Sequence, residues 1–124
     1  MQRKFRLTRS EDFKRVRRLG KSYAHPLMVL VVQVNDESKG VGSSASNVRV
    51  GVAAARTVGT AVKRNRAKRL LRAALQTILP TLAPGWDLVL IARPPLADST
   101  LNETRQALVS LLQRSKLISL SDAA

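Results

Sequence analysis

Two stretches of positive charge set the terms on which this chain can fold. Residues 1–22 carry Arg3, Lys4, Arg6, Arg9, Lys14, Arg15, Arg17, Arg18 and Lys21, and residues 56–72 carry Arg56, Lys63, Arg64, Arg66, Lys68, Arg69 and Arg72. Sixteen of the 22 Lys and Arg therefore fall in 39 positions, where the only acids are Glu11 and Asp12. Like charges at that density repel in a compact fold, so both stretches belong at the surface and need a polyanion to neutralise them. Nucleic acid is the first candidate, and an anionic membrane surface the second. The rest of the chain is ordinary globular material: 44% of the 124 residues are hydrophobic. The net charge of +14 is thus no sign of wholesale disorder. The length suits a single domain, which can bury roughly two-thirds of its unfolded surface.

What is missing narrows the chemistry. There is no Cys, which removes disulfides and thiolate chemistry and suits a reducing, cytoplasmic setting. The basic N-terminus has no apolar run behind it, so it does not read as a secretory signal. No stretch approaches the roughly 18–20 apolar residues that span a bilayer. His25 is the only His, so neither a His-based triad nor a two-His metal site can be built. Standing before Pro26, it reads as a turn residue. The adjacent acids Glu11-Asp12 sit at a helix start, where the dipole accounts for them, and Asp36-Glu37 lie in a loop. Neither pair makes the carboxylate cluster that two Mg²⁺ ions require of a protein-only nuclease. No phosphate-cradling Gly-x-x-x-x-Gly-Lys-Ser/Thr run occurs, and Trp86 reads as packing at a strand entry.

The pattern along the chain predicts the order α-β-β-β-α-β-α: helices and one small sheet, α+β or α/β in class. Thr8 and Glu11 in capping-box spacing, with Gly20 as a stop, predict a helix over 9–19 whose narrow stripe is Phe13 and Val16. Leu27 to Val34 is a continuous β-branched run, a buried strand, which a short strand near Ser22–Ala24 can pair. Residues 1–8 are a basic arm, and residues 35–47, rich in Ser and Gly, read as a flexible hairpin loop. A strand follows at 48–54. Thr60 caps a helix running to about Leu79, with Ala67, Leu70, Leu71, Ala74, Leu75 and Ile78 on its apolar face. Residues 88–92 form another strand, and Thr100 with Glu103 opens a last helix, with Leu101, Leu108, Leu111 and Leu112 expected inward. The strand 48–54, the helix and the strand 88–92 form a β-α-β unit in a mixed sheet, for which a right-handed crossover is the general rule.

The helix of that unit opens with Lys63-Arg64-Asn65-Arg66-Ala67-Lys68-Arg69-Leu70-Leu71-Arg72. Arg66, Lys68, Arg69 and Arg72 fall on the arc opposite the leucines. Lys63 and Arg64 stand near the helix start, where cations oppose the macrodipole. Six cations without one acid lack the i,i+4 partners of a solvated helix face. Arg supplies a rigid fork of donors for phosphates and base edges, and Asn65 a neutral donor-acceptor pair. This face is built to meet RNA or DNA.

The segment from Val50-Gly51-Val52 through Arg56-Thr57-Val58-Gly59-Thr60 to Lys63-Arg64-Asn65-Arg66-Ala67-Lys68-Arg69-Leu70-Leu71-Arg72 closely resembles the signature of the bacterial ribonuclease P protein component. Arg6-Leu7 with Glu11-Asp12-Phe13 is similar to that family's first helix, and Asp87 to Pro94 to its last strand and exit loop. The likeness spans most of residues 4–116. It implies an α+β fold built as a small α/β sandwich, in which the β-α-β crossover is left-handed, against the general rule. It further implies the accessory subunit of a ribonucleoprotein endoribonuclease whose catalytic RNA removes 5′ leaders from precursor tRNA. Mg²⁺ is then bound mainly by the RNA subunit and the substrate, and neither a membrane nor a protein partner is required.

Carried over residue by residue, the resemblance assigns RNA contact to Arg64, Asn65, Arg66, Lys68, Arg69 and Arg72, with Arg56 and Lys63 in the same segment. It assigns a cleft for the single-stranded leader to Phe13, Lys14, Arg17, Val31 and Arg93, and no catalytic residue to the chain. Two cleft positions depart from the family: Arg17 stands one turn after Phe13 where a second aromatic is usual, and Val31 replaces an aromatic on the central strand. The leader is therefore expected to be held more by charge than by stacking. A ribosomal protein or general RNA chaperone has the same charge logic, but the Arg-Asn-Arg segment in its strand-loop-helix setting favours the first reading.

Overall fold

A computed structural model of the chain describes residues 10–34, 48–82 and 85–115. The elements are α1 (Ser10–Leu19), β1 (Lys21–Ala24), β2 (Met28–Val34), β3 (Arg49–Ala54), α2 (Ala61–Ile78), β4 (Trp86–Ala92) and α3 (Leu101–Arg114), with 3-10 turns at Arg56–Val58, Leu79–Thr81 and Pro94–Asp98. This is the order expected from the sequence. Thr8 and the 35–47 loop lie outside the described residues.

The four strands form one sheet in the order β1-β2-β4-β3. β1–β2 and β2–β4 are antiparallel, while β3 runs parallel to β4 as the two ends of the β-α-β unit. β2 and β4 are central and covered on both faces, which is why both read as unbroken apolar runs. Their alternate residues serve two cores. Met28, Leu30 and Val32 of β2, with Leu88, Leu90 and Ala92 of β4, face α2 and α3 and meet Leu71, Leu75, Leu108 and Leu111 in the main core. Val31 and Val89 point the other way and pack under Val16 and Phe13 of α1.

The helix ends follow their local chemistry. Thr60 caps α2, its Oγ1 accepting from Lys63 N at 3.3 Å. Thr100 and Glu103 form the reciprocal capping box of α3: Glu103 N donates to Thr100 Oγ1 at 3.1 Å and Thr100 N to Glu103 Oε1 at 2.9 Å. α1 stops at Gly20, whose N donates to Val16 O at 2.7 Å. A Cβ there would stand 2.5 Å from Val16 O and 2.7 Å from Val32 O, so only glycine lets the chain turn so tightly from α1 into β1.

His25 closes the β1–β2 hairpin as a turn residue, accepting from Leu27 N through Nδ1 at 3.0 Å. Trp86 is half-buried against the main core, a packing residue. Two expectations for the helices need correction. Leu70 is only half-buried on α2, at the margin of its apolar face. Leu101 does not point inward; it is 38% exposed. As the first residue of α3 its side chain projects back past the helix end, where no preceding turn exists to cover it.

Candidate nucleic-acid interface

The face of the sheet under α1 is organised in three rungs. β2, β4 and β3 are in register so that Gln33, Asp87 and Arg49 form one rung, Val31, Val89 and Gly51 the next, and Val29, Ile91 and Ala53 the third. α1 lies across the first two and leaves the third half-buried.

The first rung is an ionic anchor. Asp87 is fully buried and accepts a two-pronged contact from Arg49, Nε to Oδ1 at 3.0 Å and Nη2 to Oδ2 at 2.9 Å. Arg15 of α1 adds Nη2 to Asp87 Oδ2 at 2.7 Å and reaches Gln33 Oε1 through Nη1 at 2.7 Å. Asp12 stands 3.4 Å from the same Arg15 nitrogen. The hydrogen bond to Asp87 raises the Arg15 pKa above its ordinary value, against some desolvation, with the negative charges of Asp87 and Asp12 adding to the effect. Arg15 is therefore a fixed cation that holds α1 to the sheet, and not a free member of the basic surface. Sequence reasoning missed this cluster. The available signal was an isolated acid heading an apolar strand in a chain with few acids, since a buried carboxylate demands a cationic partner.

The second rung carries the helix. Phe13 is half-buried, its ring tip directed at Gly51, where an added Cβ would stand 2.5 Å from Cζ. Val16 is fully buried on Val31 and Val89.

The third rung is the floor of two grooves. One, of about 580 Å³, brings together Arg17, Val31 and Arg93 of the expected leader cleft over Val29 and Ile91, with Thr57 on its wall. The other, of about 500 Å³, lies along β3 and holds Phe13 against Arg64, Asn65 and Lys68 of α2, over Ala53. Ile91 and Ala53 are register partners, so the grooves are neighbours across the sheet. Phe13 thus lies with the basic helix, apart from Arg17 and Arg93. Lys14 is exposed on α1 and lines neither groove.

On α2, Lys63, Asn65, Arg66 and Arg69 are exposed, while Arg64, Lys68 and Arg72 are partly covered. Arg56 is exposed in the turn before the helix. Arg66 is steadied by a bond from its Nε to Ala97 O at 2.7 Å. Arg64 Nε is buried without a hydrogen-bond partner among the described residues. Arg93 Nη1 donates to His25 O at 3.3 Å, which orients it at the cleft end. Among the described residues no group of three or more His, Cys, Asp or Glu could hold a metal ion, and no helix is long and apolar enough to cross a membrane.

The family model for Ribonuclease P matches residues 1–116. The chain belongs to the ribonuclease P protein family. It is 38% identical over 117 residues to the ribonuclease P protein component of Herpetosiphon aurantiacus, covering 94% of this chain and 89% of that protein. It is 35% identical over 115 residues to that of Bacillus cereus strain B4264, covering 93% and 94%. Among solved structures, the Staphylococcus aureus ribonuclease P protein superposes with a TM-score of 0.78 at 26% identity, over 93% of this chain and 98% of that one. The Thermotoga maritima protein gives 0.71 at 27%, over 88% and 96%. The mixed sheet with three helices is the fold of these ribonuclease P proteins. A protein component of this family is part of the ribonuclease P endoribonuclease and associates with ribonuclease P RNA.

Proposed function

We propose that this chain is a single RNA-binding domain that presents α2 to the catalytic RNA and holds the single-stranded 5′ leader of precursor tRNA along the third rung of the sheet. The observation that carries the reading is the apolar floor Val29–Ile91–Ala53 with cations at both ends. Arg17 and Arg93 stand at one end, and Arg64 and Lys68 at the other, beside Phe13. Such a floor suits unpaired bases, and its flanks suit the phosphates that connect them. The unpartnered Arg64 Nε supports the same reading, since a buried donor gains from a ligand oxygen.

Arg56, Lys63, Arg66, Arg69 and Arg72 extend the cationic surface beyond the grooves toward the RNA subunit. Lys14 has no place on the floor and serves at most as a peripheral phosphate contact. In this reading Mg²⁺ is bound mainly by the RNA subunit and the substrate, and the chain supplies charge that lowers the amount needed. The work is cytoplasmic and needs neither a membrane nor a further protein.

The test is affinity of the reconstituted holoenzyme for precursors whose leaders are lengthened one nucleotide at a time. Affinity is expected to rise above that for mature tRNA and to level off once the leader spans the floor. Equal affinity for precursor and mature tRNA overturns the leader assignment. Site-specific processing by the RNA-free chain overturns the division of labour with the RNA.

A further inference from the structure

A third groove lies on the far side of α2, away from the α1 face of the sheet. Val62, Leu70 and Ala73 of α2 and Leu101 of α3 form its apolar wall, and Asn65, Arg66 and Arg69 line it as well. Its volume of about 520 Å³ falls within the roughly 300–1,000 Å³ range of small-molecule sites. Val62 is 78% exposed and Leu101 38%, two of the three large apolar side chains left open among the described residues. Single exposed aliphatics are unremarkable, but here two converge on one concavity between arginines.

We infer that this groove receives an unpaired base of the catalytic RNA, extruded from its helix, with the adjoining phosphates on Arg66 and Arg69. The inference rests on the reading of α2 as the RNA-facing helix and adds a site to it. Charge selects the occupant: the two arginines and the net charge of +14 favour a polyanion over an apolar peptide or a second copy of so basic a chain. The bond from Arg66 Nε to Ala97 O fixes its guanidinium plane beside the groove, with the terminal nitrogens left for phosphate. Asn65 is, among the described residues, the one neutral side chain lining the groove with both a donor and an acceptor, the pair that can read a base edge. An aliphatic wall suits the base itself, because bases taken out of a helix are held between apolar or aromatic side chains.

The test compares binding of the catalytic RNA by the full chain and by variants. Val62→Ser with Leu101→Ser makes the two exposed members of the wall polar without changing charge, and Ala73→Phe fills the groove from an exposed helix position. Each is expected to weaken binding about tenfold with an unchanged salt dependence, whereas Leu19→Ser, which alters the other exposed aliphatic, leaves it unchanged. Wild-type affinity in both groove variants while Arg69→Ala still weakens binding overturns the base site and leaves the RNA-facing helix standing. Wild-type affinity in all three overturns both. Retained RNA affinity with loss of a dimer in sedimentation assigns the groove to a second copy and overturns the inference. Thermal melts identify a variant that loses binding by unfolding, in which case a crosslink decides. Leu101→p-benzoylphenylalanine is expected to attach to an unpaired nucleotide of the catalytic RNA, and attachment only within a duplex, or none, overturns the site.

Discussion

Phe13 and Gly51 are matched across the interface between α1 and β3: the ring tip occupies the space that any β-carbon at position 51 would need, 2.5 Å from Cζ and 2.8 Å from Cε1. The glycine thus sets how low α1 sits on the sheet and how far the Phe13 ring opens into the groove beside Arg64 and Lys68.

Gly51→Ala is expected to lower stability by about 1–3 kcal/mol, the usual penalty for overpacking a well-filled core. In a Phe13→Ala background the same substitution should cost far less, because the colliding ring is gone. Denaturant melts of the two single variants and the double variant measure the coupling. A Gly51→Ala penalty unchanged by removal of the ring would separate the two residues.

Asp87→Ala strips the buried partner from two arginines, and breaking a buried ion pair from one side costs about 3–5 kcal/mol. Arg15 and Arg49 keep side-chain exposures of 30% and 22%, so water relieves them and the loss should fall at the lower end. Arg15→Ala should loosen α1 selectively, visible as faster amide exchange in Ser10–Leu19 while α2 and α3 stay protected. On pH the sign is fixed by Arg15. Its pKa is raised on folding, so its contribution is complete at lower pH and fades only above the ordinary arginine range. The Arg15 ion pair should therefore contribute equally at neutral and mildly alkaline pH, and Arg15→Ala should lower the melting temperature by the same amount at both.

Much of this was legible in the sequence because it is local. The leucine rhythm of α2, the caps at Thr60 and Thr100, and the continuous apolar runs of β2 and β4 each depend on residues a few positions apart. The three-rung face depends on pairing distant segments. Gln33, Asp87 and Arg49 become neighbours only when β4 enters between β2 and β3, and Arg15 meets them only when α1 settles on top. Spacing along α1 placed Phe13 and Arg17 on one face, as i,i+4 neighbours are. It could not show that the helix lies so that they border different grooves. Leu101 was misread because periodicity counts a helix's first residue as though a full turn preceded it.

For α2, Arg64→Ala, Arg66→Ala and Arg69→Ala combined should flatten the salt dependence of catalytic-RNA binding by about 2–3 units if each contacts a phosphate. A small stability loss accompanies it, about 0.5–1.5 kcal/mol, because Arg66 also bonds Ala97 O. Filter binding across a salt series, with melts alongside, reads both. Unchanged slope and unchanged affinity would return this face to solvent.

The two ends of the third rung should fail differently. Phe13→Ala removes the only aromatic side chain on either groove among the described residues, and a stacked base is worth about 1–3 kcal/mol. Precursor tRNA binding should weaken by that amount, and the loss should persist at high salt because stacking is not screened. Arg17→Ala acts at the opposite end, on an exposed helix position from which the proposed contact with the leader is ionic. Its effect should be smaller and should shrink as salt rises. Mature tRNA, lacking a leader, should bind both variants as it binds the wild type. The measurement is holoenzyme affinity for both tRNAs at low and high salt, with Gly51→Ala as a companion variant that disturbs the Phe13 ring without deleting it. Equal losses for precursor and mature tRNA would make Phe13 a packing residue and move the leader off the sheet.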